Sequence, residues 1–149
     1  MAEIRFYSES GRHGDFSNFA RWPIVFKGKT WPTSEHCFQA MKFEDKAVQE
    51  RIRNAATAQA ATDLGRNRKF KIRRRWDQLR DSIMYEIVLA KFTQHPELTR
   101  LLLATGEARI IEHTENDSYW GDGGDGSGKN KRGKILMKVR AHLDGLVGA

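Results

Sequence analysis

Trp76, Leu79, Ile83, Ile87 and Ala90 recur at helical spacing over about four turns. A stripe of that length predicts a long helix with one apolar face to bury, and the rest of the fold has to supply a surface for it. Shorter helices are expected on either side. Pro32 with Thr33 or Ser34 signals a helix start, and the helix should run to about Phe43. Val48, Ile52 and Ala55 mark a second helix, and Thr57 caps a third, which Gly65 is expected to end as a left-handed C-cap residue. Pro96 opens another helix, carried by Leu101, Leu102 and Leu103 and closed by Gly106. Ile135, Leu136, Val139 and Leu143 form the last one.

Strands are few and scattered. Ile4 to Tyr7, Ile24 to Phe26 and Arg109 to Glu112 read as short strands, with a turn at Lys27-Gly28-Lys29. The expected fold class is therefore α+β, one compact, mostly helical domain over residues 1–149, since 149 residues suit one core and no linker or repeat divides them.

The net charge of +7 points to an anionic partner: nucleic acid, nucleotide phosphate or acidic lipid. The longest apolar runs are only a few residues, so no membrane span is expected. The start of the chain has no signal-peptide pattern, and a single cysteine, Cys37, forms no internal disulfide. Both fit a cytoplasmic location.

Three segments could carry chemistry. In the helix starting near Ser34, Glu35, Phe38, Gln39 and Lys42 share a face, while Cys37, Ala40 and Met41 point elsewhere into the core. Glu35 falls in the first turn, where unpaired N–H groups and the helix dipole favour a carboxylate. The second segment is Asn116-Asp117-Ser118-Tyr119-Trp120-Gly121, leading into a loop with Gly123, Gly124, Gly126 and Gly128. Its glycines could let the backbone approach a ligand and turn N–H groups toward an anion. The loop is not a P-loop, because Asn130 stands where a magnesium-binding Ser or Thr belongs, and its acidic spacing does not match a calcium loop. The third is the run from Arg66 to Arg75, where basic residues alternate with Phe70 and Ile72 and could track phosphates. His36 and Cys37 point to different helix faces and make a poor nucleophile–base pair, and the five histidines lack metal-ligand spacing. No metal and no cofactor are expected.

Read in order, Phe16-Ser17-Asn18-Phe19, the segment from Trp31 to Ala40, Lys42-Phe43, Gly65-Arg66, Trp76, Arg80, Lys91-Phe92, Asp117, Trp120-Gly121, Asn130 and Gly133 resemble the NADAR (NAD and ADP-ribose) family, also called YbiA-like. The resemblance runs along nearly the whole chain. It implies an N-glycosidase that needs no metal, with Glu35 as catalytic carboxylate and Asp117 and Trp120 beside it in the reaction. It also implies Asn18, Phe19, Lys42, Arg66, Trp76, Arg80 and Asn130 as substrate contacts. The implied substrate is ADP-ribosylated guanine, including guanine in DNA, with a DNA ADP-ribosyltransferase toxin system as candidate partner. Phosphorylated ribosylamino-pyrimidine intermediates of riboflavin synthesis are the alternative. A non-catalytic ADP-ribose or NAD binder, or a plain nucleic-acid binder, are readings of other classes. The sequence departs from the family pattern at Cys37, often aromatic there, and at Arg132, where an apolar residue commonly precedes Gly133.

Overall fold

The computed structural model describes residues 2–9 and 11–147. The chain divides into two units, one made of Met1–Ala20 and Phe92–Ala149, the other of Arg21–Lys91. Each unit combines two short strands with longer helices, the α+β composition the sequence predicts.

In the Arg21–Lys91 unit, β1 (Ile24–Phe26) and β2 (Lys29–Trp31) form an antiparallel hairpin. Lys27 and Gly28 both take positive φ, 51° and 80°, the backbone that a two-residue hairpin turn needs to follow strand twist. Lys29, expected in the turn, is instead the first residue of β2, a strand whose three residues are too few to show alternation in the sequence. Helix α1 (Ser34–Met41) follows, with Thr33 at its N-cap accepting from the His36 N–H. Every residue of α1 is buried, so the helix packs on all sides, against α2 (Lys46–Arg53), α3 (Ala58–Gly65) and β2. The face shared by Glu35, Phe38 and Gln39 is therefore buried as well as the apolar face of Cys37, Ala40 and Met41. Asp45 and Thr57 cap α2 and α3 through their side chains.

Gly65 corrects a second expectation. It lies within α3, does not adopt positive φ, and Arg66 is the C-cap residue. Glycine is needed at 65 for space. A Cβ there would lie 2.8 Å from Cδ of Gln39 and closer still to its Oε1.

Helix α4 (Trp76–Gln94) is the long helix announced by its stripe: Trp76, Ile83 and Ile87 are buried, joined by Met84, Val88 and Phe92. It belongs to this unit through Lys91 and to the other from Phe92.

In the other unit, β3 (Glu3–Phe6) pairs in parallel with β4 (Arg109–Glu112), Ile4 opposite Ile110. Helix α5 (Pro96–Ala104) is followed by Gly106 at φ 63°, the left-handed stop the sequence suggests. Helix α6 (Lys131–Val147) covers β4, burying Ile135, Leu136, Val139 and Leu143. Among the described residues no helix is long and apolar enough to cross a membrane.

Candidate active site

Glu35 sits in the first turn of α1 and is 8% exposed. Its Oε2 accepts two hydrogen bonds, 2.7 Å from Nε2 of Gln39 one turn along and 2.8 Å from Oγ1 of Thr62 on α3. The Thr62 hydroxyl also lies 3.0 Å from the Ala58 carbonyl, but its single hydrogen goes to the nearer, charged oxygen of Glu35. Both donors land on one oxygen. The carboxylate is thereby oriented, and among the described residues nothing donates to Oε1, which keeps its lone pairs for a water or a substrate atom.

That orientation depends on Gly65. The Gln39 amide lies against the bare Gly65 Cα, and Gln39 Oε1 is buried with no hydrogen-bond partner among the described residues. A buried acceptor left unmade costs about 1–3 kcal/mol. The structure carries that cost while Nε2 is held on Glu35. The sequence put Gln39 beside Glu35 through their i,i+4 spacing, but Thr62, 27 residues away, gave no local signal of its role.

Lys42 follows at the end of α1, and burial is the main cause that pushes its pKa down from the ordinary lysine value. The negative charge of Glu35 pulls the other way, and Arg66 adds to the lowering. Glu35, Lys42 and Arg66 thus form one electrostatic group. Trp76 is 8% exposed and packs on Phe38, ring centroids 5.3 Å apart. Arg80, one turn further along α4, is half-buried.

His36 and Cys37 belong to the scaffold. His36 Nε2 lies 3.0 Å from the Ala55 carbonyl, which can only accept, so this nitrogen carries the proton and Nδ1 accepts from the Thr33 hydroxyl at 2.8 Å. Burial pushes the His36 pKa down, outweighing the Ala55 hydrogen bond. Cys37 is fully buried, and burial pushes its thiol well above the usual range, so it is no nucleophile.

The remaining candidates lie in the other unit. Asp117 Oδ1 accepts from the N–H groups of Tyr119 (2.9 Å) and Trp120 (2.8 Å), which folds the corner that holds the Trp120 ring edge-on to Tyr119. Trp120 and Phe19 are half-buried. Asn18 is nearly buried, and its Oδ1 is occupied by Arg132, which donates from Nε at 3.1 Å and from Nη2 at 2.7 Å. Arg132 also reaches the Phe16 carbonyl and is 1% exposed. The residue that breaks the apolar pattern before Gly133 is therefore a buried clamp on the Phe16–Asn18 segment.

Asn130, expected as a substrate contact, also ties the loop to β4: its side chain accepts from the Glu112 N–H at 3.0 Å and donates to the Ile110 carbonyl at 3.0 Å. The glycine-rich loop is corrected too. The N–H groups of Gly124, Gly126 and Gly128 all go to Asp122, and that of Gly123 to the Asp117 carbonyl. Those amides serve the loop itself and form no anion nest. Asp122 is the hub that the sequence reading missed. Burial works against its charge, yet hydrogen bonds from His113, Gly124 and Thr114 prevail and hold its pKa below the usual carboxylate range. Glycine is required at 128 because a Cβ would meet the Asp122 carbonyl carbon at 2.5 Å.

A carboxylate fixed at a helix start, with Trp-Pro ahead of it and an Asp-x-x-Trp-Gly corner elsewhere, is a specific pattern, and it has relatives. The model of the NADAR domain matches residues 5–144. The chain belongs to the NADAR domain family. It is 54% identical over 140 residues to the N-glycosidase YbiA of Shigella boydii, covering 94% of this chain and 88% of that protein. The solution structure of Escherichia coli YbiA shares this NADAR fold with a TM-score of 0.88 at 52% identity, covering 96% of this chain and 85% of that one. A riboflavin biosynthesis protein of Vibrio vulnificus is 43% identical over 94% of this chain, which corresponds to 38% of that longer protein.

Proposed function

We propose that this chain is an N-glycosidase that hydrolyses the ribosyl C–N bond of a ribosylated base, with Glu35 as the catalytic carboxylate and ADP-ribosylated guanine, including guanine in DNA, as the substrate. The observation that carries the reaction class is the Glu35 carboxylate, nearly buried and held by Gln39 and Thr62 through one oxygen. Relatives named N-glycosidases at 54% identity support the same class.

Cleavage of the C–N bond sends its electron pair to the base nitrogen and leaves positive charge on the ribose. A carboxylate at that place stabilises the charge, and its free oxygen takes a proton from water as the water oxygen bonds to the anomeric carbon. The proton ends on the released base. Asp117 holds the Trp120 corner, and Trp120 offers a face to base or ribose. Lys42 and Arg66 meet phosphate.

The choice of substrate rests on charge. Residues 21–91 hold 16 of the 26 Lys and Arg and only 8 of the 19 Asp and Glu, so the basic surplus is confined to the unit that carries Glu35. A polymeric anion uses such a surface more fully than a single phosphate does. An enzyme class that attaches ADP-ribose to DNA, such as a DNA ADP-ribosyltransferase toxin, would supply this substrate. The Vibrio vulnificus relative favours a second reading, a phosphorylated ribosylamino-pyrimidine of riboflavin synthesis.

The deciding experiment offers both substrates in parallel and measures released ADP-ribose or ribose phosphate. Glu35→Gln should lower turnover by about two orders of magnitude or more while binding is retained. Normal turnover by that variant removes Glu35 from its role. Release from the pyrimidine alone reassigns the substrate.

A further inference from the structure

A cleft of about 220 Å³ opens at the C-terminal end of α1, away from the helix start that carries Glu35. Its rim holds Lys27, Lys29, Lys46 and Arg73 against one carboxylate, Glu44. Trp31 and Phe43 line it but are each 1% exposed, so they are wall and present no free aromatic face.

Arg73 is built in. Its backbone N–H donates to the Lys42 carbonyl at 2.8 Å, and its Nη1 to the Met41 carbonyl at 3.3 Å, which places the guanidinium at the negative end of α1. Its Nε is buried with no hydrogen-bond partner among the described residues. Lys29 shares its charge with Glu50 at 3.1 Å, while Lys27 and Lys46 are exposed. The cleft is also the end of a longer track. The basic run from Arg66 reaches it through Phe70, which packs on Phe43 with centroids 6.1 Å apart and carries the Arg51 guanidinium on its ring. Arg66, Arg68, Lys69, Lys71, Arg74 and Arg75 along that run are exposed.

We propose that this cleft is a phosphodiester-binding subsite that anchors a nucleic-acid strand, with the chain from Arg66 to Arg75 as the path leading into it. A cluster of surface lysines is most often only a solvated face. Here the cations ring a concavity, one of them is held in place at the end of α1 by two backbone carbonyl and amide contacts, and the cleft continues a run of exposed cations longer than a single phosphate requires. A membrane surface fits less well, because the apolar residues lining the cleft, Trp31, Met41 and Phe43, are buried and Ile72 alone projects from the run that leads to it. The subsite does not depend on which base is released, and it is tested with unmodified nucleic acid.

The test measures binding of a fluorescein-labelled, unmodified single-stranded DNA of twenty nucleotides by anisotropy across a series of NaCl concentrations. The protein is compared with Lys27→Gln/Lys46→Gln and with a charge-matched control, Lys134→Gln/Lys138→Gln, whose lysines are exposed on α6. Each phosphate contact in a single strand contributes about 0.7 to the slope of log K against log salt, so the cleft variant should lose roughly 1.4 and the control almost nothing. Thermal melts of all three should coincide, since the replaced side chains are exposed. Equal losses in both variants, or none in either, overturn the proposal. So does saturable binding of inorganic phosphate, or of vesicles containing phosphatidylglycerol, without binding of the DNA.

Discussion

Gly65→Ala probes the link between packing and catalysis most directly. The new Cβ would stand 2.8 Å from Gln39 Cδ and nearer to Oε1, so the amide has to swing away and its 2.7 Å bond to Glu35 is lost. Overpacking of this kind costs about 1–3 kcal/mol. Losing a hydrogen bond to a charged group adds about 1.5–3 kcal/mol. Alanine in place of glycine in a helix returns at most about 1 kcal/mol. A net destabilisation of roughly 1.5–6 kcal/mol follows, and at about 3 °C per kcal/mol for a chain of this length the melting temperature should fall by about 5–18 °C. Turnover should fall as well, with KM less affected, because Glu35 loses one of its two fixed donors. The decisive form is a double-mutant cycle. In a Gln39→Ala background the Oε1 and Cδ that clash are gone and only the Cβ of residue 39 stays near, 3.0 Å away, so Gly65→Ala should cost clearly less, with a coupling above about 1 kcal/mol. Thermal denaturation and steady-state kinetics on all four proteins read this out. An equal cost of Gly65→Ala in both backgrounds refutes the argument that glycine is there to make room for Gln39.

Thr62→Val keeps the shape of the side chain and removes the second donor to Glu35; kcat should drop about tenfold, and Thr62→Ser should restore most of it, which a merely structural role for the methyl group would not allow. The buried, neutral His36 makes stability dependent on pH. Its folded pKa lies below the ordinary 6.5, so its contribution is complete above pH 6.5 and is lost as pH falls toward the folded value. Melting temperature should therefore decline from pH 7 to pH 5, and a His36→Gln variant should show a flatter profile. Asp122 acts in the same sense at lower pH, its contribution present above the usual aspartate range and lost as pH falls through its depressed value.

Sequence by itself determined the parts whose signals lie within a turn or two of backbone. The stripe from Trp76 fixed the long helix, Pro32 with Thr33 or Ser34, Pro96 and Gly106 marked helix ends, and the position of Glu35 in a first turn followed from them. These features are set by groups three or four residues apart, and so is the proximity of Gln39 to Glu35. The tertiary structure alone decided what distance along the chain conceals. Thr62 reaches Glu35 across 27 residues, and β3 finds β4 more than a hundred residues away. Gly65 looked like a helix stop because glycine usually serves backbone freedom there, but its neighbour across the packing is what demands it. The glycine loop looked like an anion cradle until Asp122 claimed its amides. A glycine announces that something comes close, and only the fold decides whether that is a ligand, a left-handed turn or another part of the same chain.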